Sequence, residues 1–160
     1  MAVRAGVQSI EHGLFLDSDD LEALGGRHGI WVPTLVQVEA IISQIGAQSS
    51  GGRLLAEGFE NAAGLLSDAV DAGVHVLAGT DLAVGTDEVA VEAVRLWEMG
   101  MSATEAVRAV SAAGFDATGR PVQFERGFVA DAVFFAENPI VNPKVLAHPE
   151  VVVRRGRIVG

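Results

Sequence analysis

Three short apolar runs stand out along the first half of the chain: Val7 to His12, Ile30 to Val36 and Val74 to Gly79. Each is rich in Val, Ile or Leu and ends in polar residues or glycine, the pattern of a strand buried on both faces. Between the first two lies LDSDDLEALGGRHG, where Asp19 and Glu22 make a capping-box pattern, Leu21 and Leu24 an apolar stripe, and Gly25 and Gly26 a helix stop. Between the second and third, Leu55, Phe59, Ala62, Leu66 and Val70 recur at helical spacing before Gly73, which predicts an amphipathic helix.

Strands alternating with crossover helices predict a parallel sheet, because parallel neighbours cannot be joined by a tight turn. After Asp81 the pattern changes. Val89, Ala93, Leu96 and Trp97 mark one helix, and Ser102 with Glu105 caps another that carries Ala106, Val107, Ala109 and Val110 before Gly114. From about Gly119 onward, short strands and turns are predicted: Ala132 to Ala136, an Asn138-Pro139 turn, Val151 to Val153, and Arg157 to Val159 after a turn at Gly156. The chain thus divides into an α/β part, 1–118, and a β tail, 119–160. Three parallel strands leave one sheet face and both edges open unless something covers them. The opening AVRAG reads as the end of a helix, so the expectation is a portion of a larger fold.

Composition narrows the function classes. The 160 residues carry 11 Lys and Arg against 21 Asp and Glu, a net charge of −10, and the only basic cluster is Arg154, Arg155 and Arg157. Neither nucleic acid nor an anionic membrane surface is an expected partner of such a chain. With 49% hydrophobic residues a packed core is expected, and no window approaches the roughly 20 apolar residues that span a bilayer. Cysteine is absent, which excludes disulfides, Cys-ligated metals and a Cys nucleophile and agrees with a reducing cytoplasm.

His12 ends the first predicted strand, in SIEHG, and Asp81 ends the third, in VLAGTD. Parallel α/β folds bind ligands at the C-terminal ends of their strands, so both residues fall on the functional edge. There an imidazole and a carboxylate can ligate a zinc ion, or the carboxylate can act as a base on metal-bound water. Spacing alone also allows a capped surface histidine and a helix N-cap at Thr80-Asp81. His75 lies roughly 20 Å down the third strand from Asp81 and belongs to the opposite end. His28 and His148 read as solvated turn residues, and Trp31 and Trp97 as packing aromatics. No phosphate-loop glycine motif and no G-x-S-x-G nucleophile elbow occurs.

The segments AGVQSIEHGLFLD, WVPTL, VLAGTD, EMGMSATEAVRAVS and GFVADAVFFAENPIVNPKVLAHPEVVVRRGRIV, in this order, resemble the amidohydrolase superfamily, in particular its imidazolonepropionase-like and Xaa-Pro dipeptidase-like branch. That resemblance implies a TIM-like (β/α)₈ barrel holding one or two divalent metals, usually zinc, that activate water to hydrolyse C–N bonds of small amide or dipeptide substrates. It implies that His12 matches the histidine at the end of the sixth barrel strand. That residue ligates the second metal in binuclear members, or contacts substrate or water in mononuclear ones. Asp81 then matches the aspartate at the end of the eighth strand, a metal ligand and general base, with Gly79 and Thr80 supporting a close backbone approach. The tail resembles the last strands of the β-sandwich that flanks the barrel.

The family's His-x-His on the first strand, lysine on the fourth and histidine on the fifth have no counterpart. The sole lysine, Lys144, lies in the tail and is no bridging ligand. Where dipeptidase-like members often carry a histidine soon after the aspartate, AVGTDEV follows. A zinc site normally takes at least three protein ligands, and two are visible. Two functions are therefore weighed: the C-terminal portion of a metal-dependent amidohydrolase, and a catalytically inactive remnant that serves as an assembly or binding module. In the second, the open edges would pair with another copy or with the missing N-terminal half.

Overall fold

The structure, a computed structural model, describes residues 2–81, 89–120, 122 and 125–159. Strands β1 (Ser9–Glu11), β2 (Ile30–Val32) and β3 (His75–Val76) form a parallel sheet in the order β1-β2-β3. Ser9 pairs with Ile30, and Ile30 with His75. The parallel sheet and its crossovers follow the sequence reading, but every strand is shorter than its apolar run.

Helix α1 (Ser18–Gly25) joins the first two strands, with Leu21 and Leu24 buried. Its N-cap is Asp17, whose carboxylate accepts from the Asp20 amide, not the Asp19 of the expected capping box. Asp17 has the extended backbone that a cap requires, whereas Asp19 already lies inside the helix.

The predicted strand Ile30 to Val36 breaks after Val32. Pro33 offers no N–H to a ladder, Thr34 turns into the left-handed region at φ 53°, and helix α2 (Leu35–Ile45) begins at once. The sequence reading missed α2, because its apolar residues continue those of the strand. Helix α3 (Ser50–Asp71) follows, capped by Ser49 on the Gly52 amide. Its stripe Phe59, Ala62 and Leu66 is buried as the spacing predicted, together with Ala69, and packs against α1, α2 and β3.

Helix α4 (Val89–Glu98) packs on α2, and α5 (Ala103–Ala109) is capped by Ser102, which accepts from the Glu105 amide. Gly114 does not end that helix but lies within a further one, α6 (Ala112–Ala117). The principal core joins Leu21, Leu24, Trp31, Leu35, Val38, Phe59, Leu66, Val76 and Leu96, so it lies between the sheet and its helices.

The tail forms its own antiparallel sheet of β4 (Ala132–Phe134), β5 (Val151–Arg154) and β6 (Arg157–Ile158). Arg155 and Gly156, both at positive φ, make the two-residue turn between β5 and β6, the geometry that matches strand twist. A 3₁₀ turn over Pro143–Ala147 buries Pro143 and Leu146 and ties the tail to α4 and α5. Among the described residues, no helix is long and apolar enough to cross a membrane.

Candidate functional site

Because β1, β2 and β3 run parallel, the residues just after them share one edge of the sheet. His12 follows β1, Thr34 lies two residues beyond β2, and Asp81 five beyond β3. All three adopt left-handed backbone, at φ 63°, 53° and 45°. Only two other non-glycine residues among those described do so, His28 and Arg155. Such conformations cost roughly 1–3 kcal/mol each and persist only where their surroundings impose them. For the β-branched Thr34 the strain is greatest.

The surroundings that impose them are visible. The His12 amide donates to the Val32 carbonyl at 2.9 Å, and the buried Trp31 indole N–H donates to the His12 carbonyl at 2.9 Å. Gly13, at φ 59°, lets the chain turn there, since a Cβ would stand 2.7 Å from Trp31 Nε1. Beyond β3, the Ala78 amide donates to Ala109 of α5. Gly79 is pressed against β2, where a Cβ would meet Val32 Cγ1 at 2.4 Å.

His12 Nε2 stands 3.9 Å from Asp81 Oδ2, and their side chains are 49% and 53% exposed. The pair is therefore open to a ligand from solvent. On its other side, His12 Nδ1 lies 2.7 Å from Thr34 Oγ1. The structure thus brings the two nominated residues together and adds Thr34, which sequence reasoning treated as part of a strand. Gly79 lies beside them, whereas His75 lies at the opposite end of the sheet, paired with Ile30 and 6.3 Å from the His28 ring. His28 and His148 are exposed, Trp31 is fully buried, and Lys144 is an exposed residue 4.0 Å from Glu98. The AVGTDEV segment after Asp81 falls mostly on 82–88, outside the described residues.

A second group missed from sequence is Glu92. It lies on α4 beside Val89, Ala93 and Leu96, so a charge on an otherwise apolar stripe was the available signal. Only 1% of it is exposed, and its two carboxylate oxygens accept from the Leu35 and Val36 amides at 2.8 and 2.9 Å. These are first-turn amides of α2, and Thr34 makes no side-chain cap of its own. Burial pushes the Glu92 carboxyl up from 4.5 to about 7, against the two amide donors. Glu39 pushes the same way, and Arg95, paired with Glu39 at 2.9 Å, opposes it.

A borderline divalent cation is served by the chemistry of this donor set. Neutral imidazole and carboxylate are both zinc ligands, and two such donors on one tetrahedral ion stand about 3.4 Å apart, close to the separation seen. They make up a partial set, since the described residues contain no group of three or more His, Asp or Glu that could hold a metal ion. A separate hollow of about 330 Å³, lined by Leu77, Ala78, Val89, Ala109, Phe115 and Arg120 among others, includes none of His12, Thr34 and Asp81.

No family model matches the chain. An uncharacterized protein of Mycobacterium tuberculosis is 36% identical over 167 residues, which cover 99% of this chain and 44% of the relative. Ochratoxinase of Aspergillus niger is 26% identical over 162 residues, covering 94% of this chain and 33% of the enzyme. Among solved structures, a Xaa-Pro dipeptidase superposes with a TM-score of 0.81 at 25% identity, over 99% of this chain and 41% of that one. An amidohydrolase superposes with a TM-score of 0.82, at the same identity and coverage. The chain spans less than half the length of the curated relatives it matches. Its α/β fold and the order of its segments make it the counterpart of the C-terminal portion of an amidohydrolase-like protein.

Proposed function

We propose that this chain supplies the C-terminal part of a metal-dependent amidohydrolase that cleaves a C–N bond in a dipeptide, non-standard peptide or cyclic amide. On this reading, residues 1–118 are the last three β/α units of a (β/α)₈ barrel with the helices that follow them. Residues 119–160 are strands of the flanking β-sandwich. The observation that carries it is the meeting of His12 and Asp81, both on left-handed backbone, at the C-terminal edge of a parallel sheet. The superposition on a Xaa-Pro dipeptidase and the likeness to ochratoxinase support the substrate class.

His12 and Asp81 would hold a divalent cation, zinc in the first instance. Such an ion, when bound, polarises an amide carbonyl and makes water a better nucleophile. Asp81, half exposed and acceptor-only when ionised, takes a proton from the attacking water and returns it to the leaving nitrogen. His12 Nε2 faces the same space and fixes the direction from which substrate or water meets the carboxylate.

The test is zinc, iron and manganese per chain after exhaustive dialysis without chelator, followed by hydrolysis of Xaa-Pro dipeptides and cyclic amides. Metal retained by the wild-type protein, with cleavage of a member of the panel, would mean that the chain, alone or with further copies, completes the ligand set and would uphold the reading. Asp81→Ala should lower the rate by about 100- to 10,000-fold without loss of fold. Hydrolysis that ignores that change refutes the role of Asp81. A second reading, an inactive assembly module, is favoured by the strand order, which among the described residues leaves β1 and β3 each paired on one side only within the sheet. A metal-free, inert and oligomeric chain would select it.

A further inference from the structure

We infer that Thr34 is a positioning residue that fixes the tautomer and direction of the His12 ring, and that Glu92, on a different helix, holds Thr34 in the conformation this requires. The inference rests on His12 being a site residue, as proposed above. A single hydroxyl proton decides the tautomer. Thr34 Oγ1 lies 2.7 Å from the Pro33 carbonyl oxygen and 2.7 Å from His12 Nδ1. A carbonyl oxygen only accepts, so the single hydroxyl proton goes to Pro33. The ring nitrogen must then be the donor, Nδ1–H to Oγ1. Neutral His12 therefore carries its lone pair on Nε2, the nitrogen that faces Asp81 at 3.9 Å. That is the tautomer needed to bind a cation or accept a proton on the open side.

Thr34 reaches Nδ1 from left-handed backbone that a β-branched residue avoids. What holds it there is not local, since its own side chain caps nothing in α2. The next two amides, Leu35 and Val36, are both taken by the Glu92 carboxylate, across 57 and 56 residues of sequence. With those amides pinned, the turn at Thr34 cannot relax without breaking two hydrogen bonds, one buried and one partly buried. The chain of contact runs from Glu92 to the α2 amides, to Thr34, to His12 and to the face of Asp81.

The test reads the rings directly and needs no substrate. Long-range ¹H–¹⁵N correlation of the ¹⁵N-labelled 160-residue protein, at a pH where imidazole is neutral, reports the tautomer of each of its four histidines. Loss of one signal set in His12→Gln assigns His12. In wild-type protein His12 is expected as the Nδ1–H form. Thr34→Val should move it toward the Nε2–H form, and Thr34→Ser should restore the wild-type pattern. The Trp31 indole N–H should stay in place throughout, as the sign of an intact fold. Glu92→Gln, which offers an NH₂ to one of the two amides, should shift the His12 signals in the direction of Thr34→Val.

His12 found as Nε2–H in wild-type protein, or unmoved in Thr34→Val, overturns the assignment. Unmoved His12 signals in Glu92→Gln overturn the part given to Glu92. Should that variant not fold, amide exchange in the wild-type protein decides the point. Protection of Leu35 and Val36 equal to mid-helix α2 upholds the clamp, and exchange at the rate of free first-turn amides overturns it. Failure of any of these leaves the metal and hydrolysis assays untouched, so the two readings fall separately.

Discussion

Glu92 sets two effects against each other, and their balance fixes the sign of a pH dependence. Its carboxyl caps the first turn of α2, where two amide donors and the positive end of the helix favour the ionised form. It is also 1% exposed, which favours the neutral form, and burial wins, raising it from 4.5 to about 7. A carboxyl held higher in the folded than in the unfolded state contributes stability that is complete below pH 4.5 and lost as pH rises through about 7. The difference amounts to up to about 3 kcal/mol. The charged groups that bear on it oppose each other, Glu39 raising the carboxyl and Arg95 lowering it. Glu92→Gln is the reference, because a carboxamide keeps the size and planarity of the carboxyl and does not ionise. Denaturant unfolding followed by tryptophan fluorescence, at steps between pH 4.5 and 8.5, gives both stabilities, and groups common to both proteins cancel in their difference. Relative to the variant, wild type should be at its most stable at the acid end and lose ground as pH rises through about 7, then level. A gap that widens in favour of wild type with rising pH would refute the reasoning. It would mean that the amide donors outweigh burial.

Two further outcomes follow from packing and capping. Gly79→Ala places a methyl 2.4 Å from Val32 Cγ1, so the Val32 side chain or the segment after β3 must shift just before the site, at a cost of about 1–3 kcal/mol in thermal unfolding; an unchanged Tm would show that the contact yields freely. Asp17→Ala removes the acceptor of the Asp20 amide and should cost about 1 kcal/mol, while Asp19→Ala should cost far less, and equal losses would contradict the placement of the cap.

The parts of this molecule that were legible in sequence are those that depend on neighbours along the chain. The stripe of α3, the Ser102 cap and the alternation of strand and helix all appear in local spacing. His12 and Asp81 were legible because a parallel sheet delivers strand ends to one edge whatever the rest of the fold does. Helix α2 was hidden because Leu35, Val36 and Val38 continue the apolar text of β2, and β-branched residues favour a strand reading. What turns the chain into a helix at Leu35 is an acceptor 57 residues away, which no local pattern contains. Thr34 was missed for the same reason. Its role lies in a backbone angle and a ring nitrogen supplied by β1, both products of tertiary contact.

Glu92 connects stability to the site. If the cap existed to stabilise α2, an exposed Ser or Asp at the N-cap would do so without burying a charge, as Asp17 and Ser49 do for α1 and α3. The cap position of α2 is instead occupied by a threonine bent into a strained conformation, its hydroxyl turned toward His12. The helix has its cap brought from elsewhere so that its first residue is free for another task. A buried carboxylate that lowers stability above neutral pH, yet holds a residue that touches His12, is the pattern of strain retained at a working site. The same variant should therefore lose less stability toward high pH and disturb the His12 ring. A purely structural Glu92 predicts the first change without the second.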